Sequence, residues 1–535
     1  MRESQSGMKS KRIISNNLLI VICLAIFGLL VRVIYAPFDV PIVNDGFFSF
    51  VYAVKTNFDG ALPIGYTTTN TGWANFLSLI FTLSDKTDPL QMMNVQRILS
   101  IIFSSIVIFP AYFIFQKFVN KKIAIFGCLL LIMEPRLTLI SLDGHGYSLF
   151  IFLFVLGLAF FLKKTNISFI LAFSSISFAA LVRYEAVLLL IPFAIMFFIY
   201  SKNRNKILQF LCIVLIVSVI LIPISFLRSE VTQEYCYSSF FGEICGSDGI
   251  LNNFFNRAES INNKIVGIPD TDDSIYNTKD SMIGHFVTIS FVNLIKFLGI
   301  ILLPYFVFFL GMWIFKLKKK PTLNINDNYK ILIFSTCVML IPSIYAYGRG
   351  FEDYRYVLIV IPLLSVFSVK IMESFPKMEK NRNIFFVLIF FIILLSIVFI
   401  QNEKSDDDLH REAFYVSKKV YQLTDTINTY QYSGYLKTAE IIEEWPELPK
   451  SDPLRLGKLE MSTTKIPTKG YETIHEFLQD EENKKLQYIV LDKRNEFFNY
   501  LRENPSNYNY LEIIFDSKDL DFENEFKIYR INDRK

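Results

Sequence analysis

The sequence predicts an α-helical polytopic membrane protein of about eleven spans, followed by a small C-terminal α/β domain. Composition is the first observation, because 52% of the 535 residues are hydrophobic and 19% are charged, below the roughly 25% usual for soluble domains. Second, apolar runs of about 18 or more residues, each long enough to cross a bilayer core, recur over residues 17–400. Third, the chain is polar from residue 401 onward. We therefore predict a membrane domain at 1–400 and a soluble domain at 401–535.

The distribution of Lys and Arg predicts the orientation of the spans. The predicted spans are 17–36, 97–117, 123–140, 147–162, 166–181, 186–200, 207–227, 291–315, 329–346, 357–373 and 383–400. Basic clusters fall between alternate spans, where the positive-inside rule places cytoplasmic loops. The net charge of +4 is thus spread along the chain and does not form the patch that a nucleic-acid binder needs. We predict an integral plasma-membrane protein with a cytoplasmic N-terminus and an extracytoplasmic C-terminal domain.

The C-terminal segment has the pattern of a small α/β domain. Short apolar runs at 488–492 and 512–516 predict buried strands. The residues at 471–483 and 496–503 have the spacing of helices.

Two acidic residues lie at the predicted outer ends of spans and are candidates for catalysis. Asp45 follows the first span, and Asp143 precedes the fourth. Ionisable groups at the membrane edge are functional candidates by default, and a carboxylate there can act as a general base or bind a metal. The alternative is that each residue caps a helix. The sequence does not identify a cofactor; a divalent cation held by Asp45 and Asp143 is one candidate.

Two further residues near Asp143 are candidate ligand contacts. Glu134 precedes the same loop, and His145 lies two residues beyond Asp143. A lone histidine is also common as a hydrogen-bonded structural residue, and both interpretations stay open.

Three arginines at predicted outer span ends run against the positive-inside trend. Arginine suits bidentate recognition of phosphate, so a lipid-phosphate headgroup would explain the placement of Arg183, Arg349 and Arg355. Tyr356 and Glu185, which adjoin two of them, are included as candidate substrate contacts. The alternative is that these arginines pair with the nearby acids Glu185, Glu352 and Asp353 and anchor the spans.

A pair of cysteines lies in the long polar loop after the seventh span. Cys236 and Cys245 are nine positions apart, and an extracytoplasmic loop permits a disulfide. We predict that they form one.

These motifs, in this order, resemble the GT-C membrane glycosyltransferases, which include the protein O-mannosyltransferases and the lipid A aminoarabinose transferases. The resemblance lies in an acid in the first loop (Asp45) with Tyr52-Ala53 after it, and in a second acid before the fourth span (Asp143). The segments Arg-Tyr-Glu-Ala at 183–186 and Arg-Tyr-Val-Leu at 355–358 also match. The resemblance covers nearly the whole membrane domain.

The resemblance implies a glycosyltransferase that uses a polyprenyl- or dolichyl-phosphate-linked sugar. The acceptor, a glycan, lipid or protein, is modified at the outer face, usually with inversion at the anomeric carbon. By position, Asp45 takes the role of catalytic acid and Asp143 that of the second acid, while Arg355 and Arg183 hold the lipid phosphate. The chain departs from the family at Gly46, where a second acid is common, and this puts a fixed metal requirement in doubt.

Two other functions are compatible with a polytopic chain. Transporters and lipid flippases tend to have repeated halves and midplane charges, whereas here we find no repeat and the polar residues gather at span ends. A membrane scaffold whose tail binds a partner is the third hypothesis. Glycosyl transfer remains the favoured prediction.

Overall fold

The structure is a computed structural model, and it describes most of the chain. The residues outside the description are 1, 64–69, 84–87, 233–277, 318–326, 349–350, 375–381, 405–406, 424–428, 431–438, 440–441, 443–472, 481–485, 494–499, 502–507, 521 and 533–535. Cys236, Cys245 and Arg349 are among them, so the predicted disulfide and one predicted phosphate contact lie outside the described residues.

The chain forms two compact units that do not follow sequence order. The first unit contains Met1–Ala36, Tyr66–Asn75 and Arg97–Gln401. The second contains Pro37–Gly65, Phe76–Gln96 and Asn402–Lys535. The C-terminal segment therefore folds together with two stretches of the first predicted loop. The division at residue 400 into two domains stays a prediction.

Helices, most of them apolar, account for most of the described residues in the first 400. In chain order they are α1 (Arg2–Tyr35), α2 (Asn44–Asp59), α3 (Gly72–Phe81), α4 (Pro89–Ile106), α5 (Ile108–Phe115), α6 (Lys121–Ile132), α7 (Pro135–Leu142), α8 (Tyr147–Phe161), α9 (Asn166–Val182), α10 (Leu190–Tyr200), α11 (Lys206–Thr232), α12 (Thr278–Leu302), α13 (Phe306–Leu317), α14 (Asp327–Gly348), α15 (Ile361–Glu373) and α16 (Arg382–Glu403). Two 3₁₀ helices, Tyr184–Leu189 and Tyr354–Val360, lead into α10 and α15.

Within the described residues, six helices are long and apolar enough to cross a membrane, and two bent helix pairs raise the number to eight. Shorter apolar helices occur at Tyr147–Phe161, Asn166–Val182 and Tyr184–Tyr200. Each predicted span coincides with a long helix, a bent pair or one of these shorter helices. The chain is thus a polytopic helical membrane protein, as predicted.

The bends within the two pairs have local causes. The α6–α7 pair bends by 46° where α7 starts with Pro135 at its N-terminus, a position that proline favours because its missing N–H is not needed there. The α12–α13 pair bends by 100° around the Leu303-Pro304 peptide.

Gly72, the first residue of α3, lets this helix approach the backbone at the end of α9 closely. A Cβ placed on Gly72 would collide with the backbone carbonyl of Leu181 at the end of α9, and backbone cannot move aside as a side chain can. We expect Gly72→Ala to destabilise the protein by about 1–3 kcal/mol, as overpacking does. The measurement is the thermal unfolding midpoint of the full chain in detergent. Gly299, where an added Cβ meets no atom within 4 Å, provides the matched control, and an equal midpoint for Gly72→Ala and Gly299→Ala would contradict this packing.

The second unit is built on a four-stranded sheet. Its strands are β1 (Thr429–Tyr430), β2 (Tyr488–Asp492), β3 (Leu511–Asp516) and β4 (Phe526–Ile531), in the order β1-β2-β4-β3. β1 is parallel to β2, and the other neighbours are antiparallel. The predicted strands 488–492 and 512–516 correspond to β2 and β3. Helix α18 (Ile474–Gln479) lies inside the predicted helix 471–483, whereas most of the predicted helix 496–503 lies outside the described residues. The sheet and helix α18 confirm the predicted α/β class of the C-terminal segment.

The sheet has apolar packing on both faces because its side chains alternate. Ile489 and Leu491 of β2 pack in one cluster with α18, whereas Val490, between them, belongs to a second cluster. The second cluster contains residues of helix α17 (Asp407–Leu423) and Val40 of the first loop. Residues of one strand that alternate in this way lie on opposite faces, so the sheet is the middle layer of the unit.

The first loop is held in this unit by polar contacts as well. Arg411 of α17 donates to both carboxylate oxygens of Asp39, at 2.5 and 3.4 Å. The Asn94 side chain donates to the Phe38 carbonyl at 2.8 Å. Both contacts lie within a few residues of Val40, on the stretch that leads into α2.

Glu412 of α17 ties that helix to the turn before β4. Its carboxylate accepts hydrogen bonds from the backbone N–H groups of Glu523 (2.6 Å) and Asn524 (3.0 Å) and from the Asn524 side chain (2.9 Å). Glu412 is 7% exposed and Asn524 8% exposed, so loss of the carboxylate leaves the buried donors of Asn524 unpaired. We expect Glu412→Ala to destabilise this unit by roughly 2–4 kcal/mol, read as faster hydrogen exchange of the β4 amides in the full chain. Glu403→Ala is the control, and equal exchange in both variants would refute the assignment.

Candidate functional site

Asp45 lies in the first turn of α2 and is exposed. The N-cap of that helix is Val43, which makes no side-chain capping bond, so the alternative interpretation of Asp45 as the N-cap does not hold. A carboxylate in the first turn is stabilised by the positive end of the helix dipole. Gln96 donates to the carbonyl of the adjacent Gly46 at 2.8 Å, which fixes the backbone beside the carboxylate.

Asp143 and His145 form the turn between α7 and α8. Asp143 is the C-cap of α7, and its side chain is 64% exposed, so it caps no helix N-terminus. Gly144 has φ +70°, and its carbonyl accepts a hydrogen bond from Trp73 Nε1 at 2.9 Å. His145 Nε2 lies 4.0 Å from Asp143 Oδ2, which brings these two predicted site residues together.

Glu134 has a structural position at the bend between α6 and α7. It is fully buried, and its carboxylate accepts from the Leu137 N–H at 2.8 Å as the N-cap of α7. It also pairs with Arg136 at 3.3 Å. These contacts explain the position of the Glu134 carboxylate, and no bound ligand is needed to explain it.

Four of the predicted site residues line one cleft in the first unit. Its empty volume is about 370 Å³, a figure that includes space open to solvent. Its polar lining residues are Tyr147, Arg183, Glu185, Ser343, Arg355 and Tyr356. Its apolar lining residues are Phe150, Ile151, Met339, Pro342, Leu358 and Ile359. Charged and apolar side chains thus line the same cleft, and they come from α8, α14 and the two 3₁₀ helices with Arg183 just before the first of them.

Arg183 is held in place by a ring and a carboxylate. It follows α9 in an extended conformation, which turns the chain toward the 3₁₀ helix at 184–189. Its guanidinium carbon lies 4.1 Å from the centroid of the Tyr147 ring, and Nη2 donates to Glu185 Oε1 at 2.6 Å. A guanidinium stacked on an aromatic face is pre-organised, so little entropy is lost when it binds an anion.

Arg355 and Tyr356 enter the cleft from the second 3₁₀ helix. Asp353 caps that helix by accepting from the Arg355 N–H at 2.8 Å, and its other oxygen accepts from Arg355 Nε. Ser343 of α14 donates to the Tyr356 carbonyl at 2.6 Å, and Tyr347 donates to the Asp353 carbonyl at 2.9 Å. The backbone that carries Arg355 is therefore tied to α14 on both sides.

Both interpretations of the arginines find support in these contacts. Arg183 pairs with Glu185, and Arg355 pairs with Asp353, as the anchoring alternative predicts; Glu352 instead pairs with Lys296 at 2.6 Å. However, a guanidinium has five N–H donors, so one ion pair does not exhaust it. Two arginines beside an apolar wall have the chemistry to bind an anionic headgroup that carries a hydrocarbon chain.

The sequence did not single out Tyr147 as a cleft residue. It is the first residue of α8, and its function as the platform for Arg183 depends on a contact between positions 36 apart. An aromatic residue at a span end next to an outer arginine is the signal that could have been used. Asp143 and His145 lie just before Tyr147 in sequence but are not among the lining residues.

Across the described ranges, no group of three or more His, Cys, Asp or Glu side chains could hold a metal ion. Asp45 and Asp143 belong to different compact units. The divalent cation stays a prediction.

The fold and the cleft define a polytopic helical membrane protein with two arginines in a cleft that is also lined by apolar side chains. Residues 75–227 match the family described as dolichyl-phosphate-mannose-protein mannosyltransferase. Over these residues the match bears out the predicted resemblance to the GT-C membrane glycosyltransferases, which include the protein O-mannosyltransferases. The matched segment contains Asp143, His145, Tyr147, Arg183 and Glu185. A search of curated proteins finds no match.

Several solved structures are similar at low identity. The oligosaccharyltransferase AglB from Archaeoglobus fulgidus, in complex with an inhibitory peptide and a dolichol-phosphate, is 13% identical with a TM-score of 0.49, covering 95% of this chain and 74% of that one. The same oligosaccharyltransferase in complex with Zn and sulfate is 13% identical with a TM-score of 0.47, covering 92% and 71%. ArnT from Cupriavidus metallidurans, bound to undecaprenyl phosphate, is 9% identical with a TM-score of 0.47, covering 96% and 97%.

Proposed function

We propose that this chain transfers a sugar from a polyprenyl- or dolichyl-phosphate-linked donor to an acceptor at the extracytoplasmic face of the membrane. The observation that carries the proposal is the cleft, in which Arg183 and Arg355 lie beside Phe150, Leu358 and other apolar residues. A lipid-linked sugar phosphate needs such a combination of a cationic headgroup site and an apolar wall. The match of residues 75–227 to a mannosyltransferase family supports the same class of donor.

Arg183 and Arg355 are assigned to the phosphate of the donor. When the sugar is transferred, the bond between its anomeric carbon and the phosphate oxygen breaks, and the oxygen keeps the electron pair. Negative charge therefore develops on the departing lipid phosphate. Because this negative charge is larger in the transition state, positioned guanidinium groups stabilise the transition state more than they stabilise the ground state. Tyr147 and Asp353 fix the two guanidiniums in advance, through ring stacking and through hydrogen bonds.

Asp45 is assigned as the catalytic carboxylate. Its position in the first loop corresponds to the family's first acid, and it is exposed in the first turn of a helix. In a single displacement it would accept the proton of the acceptor hydroxyl while that oxygen attacks the anomeric carbon. Attack on the side opposite the phosphate inverts the configuration there. Asp143, by its place before α8, is assigned as the second acid.

The distribution of basic residues supports an outward-facing reaction. Lys121 and Lys122 at the start of α6, together with Lys163 and Lys164 after α8, lie at span ends opposite to Arg183. By the positive-inside rule the basic ends are cytoplasmic. The cleft then faces the extracytoplasmic side.

The test is sugar transfer by the purified full chain in liposomes. Dolichyl-phosphate mannose and undecaprenyl-phosphate donors carrying radiolabelled sugar are supplied with a lipid, glycan and peptide acceptor panel. Label that moves covalently to an acceptor supports the proposal. Label that crosses the bilayer on its original lipid, with no covalent product, would overturn it in favour of a flippase.

A further inference from the structure

One carboxylate oxygen in the cleft lacks a partner. Glu185 Oε1 accepts the hydrogen bond from Arg183 at 2.6 Å, but Oε2 is buried and has no hydrogen-bond partner among the described residues. The whole side chain is 11% exposed. Buried polar atoms in folded proteins are nearly always hydrogen-bonded, and an exception requires an explanation. Because Glu185 lines the cleft, a donor group on a bound ligand is the explanation that we pursue.

The position of this oxygen limits which ligand group could reach it. Both carboxylate oxygens are bonded to the same carbon, so a group that donates to Oε2 lies directly beside the guanidinium bound to Oε1. If Arg183 binds the donor phosphate, that group must be close to the phosphate in the ligand. In a sugar phosphate the phosphate is attached to the anomeric carbon, C1. The hydroxyl on the neighbouring carbon, C2, is the nearest hydrogen-bond donor of the sugar.

We infer that Glu185 Oε2 accepts a hydrogen bond from the C2 hydroxyl of the donor sugar, which makes Glu185 a specificity-determining residue. This inference rests on the proposed function, because it takes the Arg183 anion to be the phosphate of a lipid-linked sugar. An ionised carboxylate can only accept hydrogen bonds. It therefore selects donors whose C2 carries a hydroxyl group that can donate a hydrogen bond and disfavours donors that lack this group.

The experiment measures binding of three lipids to the full chain in nanodiscs, without acceptor. They are dolichyl-phosphate mannose, dolichyl-phosphate glucose and a 2-deoxy donor. Mannose and glucose differ only in the orientation of the C2 hydroxyl, so the same 2-deoxy donor is the comparison for both. Wild type is expected to bind at least one hydroxylated donor roughly 10- to 100-fold more tightly than the 2-deoxy donor, the range for a hydrogen bond to a charged group. In Glu185→Gln the difference is expected to disappear.

Dolichyl phosphate without a sugar is the reference ligand. Glutamine keeps a carbonyl oxygen for Arg183 and nearly the same volume, so the affinity of Glu185→Gln for dolichyl phosphate measures the effect on Arg183 alone, and the sugar-donor affinities are compared relative to it. Glu185→Asp keeps the carboxylate on a shorter side chain and provides a second variant if the first does not fold. It should still bind dolichyl phosphate and should lose the preference for a C2 hydroxyl.

Three results would overturn the inference. An equal loss of affinity for dolichyl phosphate and for all sugar donors would mean that Glu185 acts only by positioning Arg183. A wild-type protein that binds the 2-deoxy donor as well as the others would also exclude it. Unchanged donor affinity with lost transfer in Glu185→Gln would assign the oxygen to the acceptor hydroxyl. Failure of the proposed function is a different result, since it is seen as absence of covalent transfer by wild type from every donor.

Discussion

Replacing Asp45 by Asn is expected to lower sugar transfer roughly 100- to 10,000-fold, the range for loss of a general base. The amide has almost the same size as the carboxylate but cannot take up a proton at neutral pH. Asp45 is exposed in the first turn of α2, so the substitution should leave folding and membrane insertion unchanged. Transfer of radiolabelled sugar in liposomes is the measurement.

Asp39→Asn is the matched control for this substitution. Asp39 lies in the same loop, and its side chain is 59% exposed in an ion pair with Arg411. Exposed ion pairs contribute little to stability, so this variant should transfer sugar at nearly the wild-type rate. Full activity in Asp45→Asn, or an equal loss in both variants, would remove Asp45 from the catalytic role.

Replacing Arg183 by Gln is expected to lower kcat/KM for the lipid-linked donor by roughly 100-fold or more, because charge-assisted bonds to a phosphate are among the strong ones. The loss should appear both in donor affinity and in kcat, since the charge on the phosphate grows as the sugar departs. Arg183→Lys retains the charge but not the planar fork, so its activity should fall between those of wild type and Arg183→Gln.

Two further variants separate phosphate binding from anchoring. Lys296→Gln removes an exposed cation whose side chain is 50% accessible and should leave transfer unchanged. Tyr147→Leu keeps an apolar side chain but removes the ring under the guanidinium, and should weaken dolichyl-phosphate binding less than Arg183→Gln does. If Arg183→Gln binds dolichyl phosphate with wild-type affinity, the arginine is an anchor only.

The sequence was sufficient for the elements whose signal is local. Apolar runs of span length predict a helix whatever lies beside them, so the predicted spans coincide with helices or bent pairs. The same holds for β2, whose residues 488–492 are a short, continuous apolar run. Arg183, Glu185, Arg355 and Tyr356 could be proposed together because each is a polar residue at a predicted outer span end.

Other features depend on contacts that no local pattern reveals. Strand β4 was not predicted, because Phe526–Ile531 carries Lys527 and Arg530 among its apolar residues and is ordered by pairing with both β2 and β3. Glu134 was grouped with ligand-binding residues, whereas the structure shows its carboxylate capping α7. A buried helix cap and a ligand-binding acid look the same in the sequence, and only the hydrogen-bond partners of the carboxylate distinguish them.

The joining of the first loop to the C-terminal segment has a consequence for biosynthesis. Asp39 and Arg411 are 372 positions apart, and Val40 packs in one cluster with Phe526 and Ile528 of the last strand. At translation rates of about 5–20 residues per second, the stretch leading to Asp45 leaves the ribosome on the order of 25–100 s before the last strand. We expect that stretch to stay sensitive to added protease in nascent chains and to become resistant only after the last strand is synthesised. A chain truncated before β4 would then keep all of its spans and still lack the environment of its proposed catalytic acid.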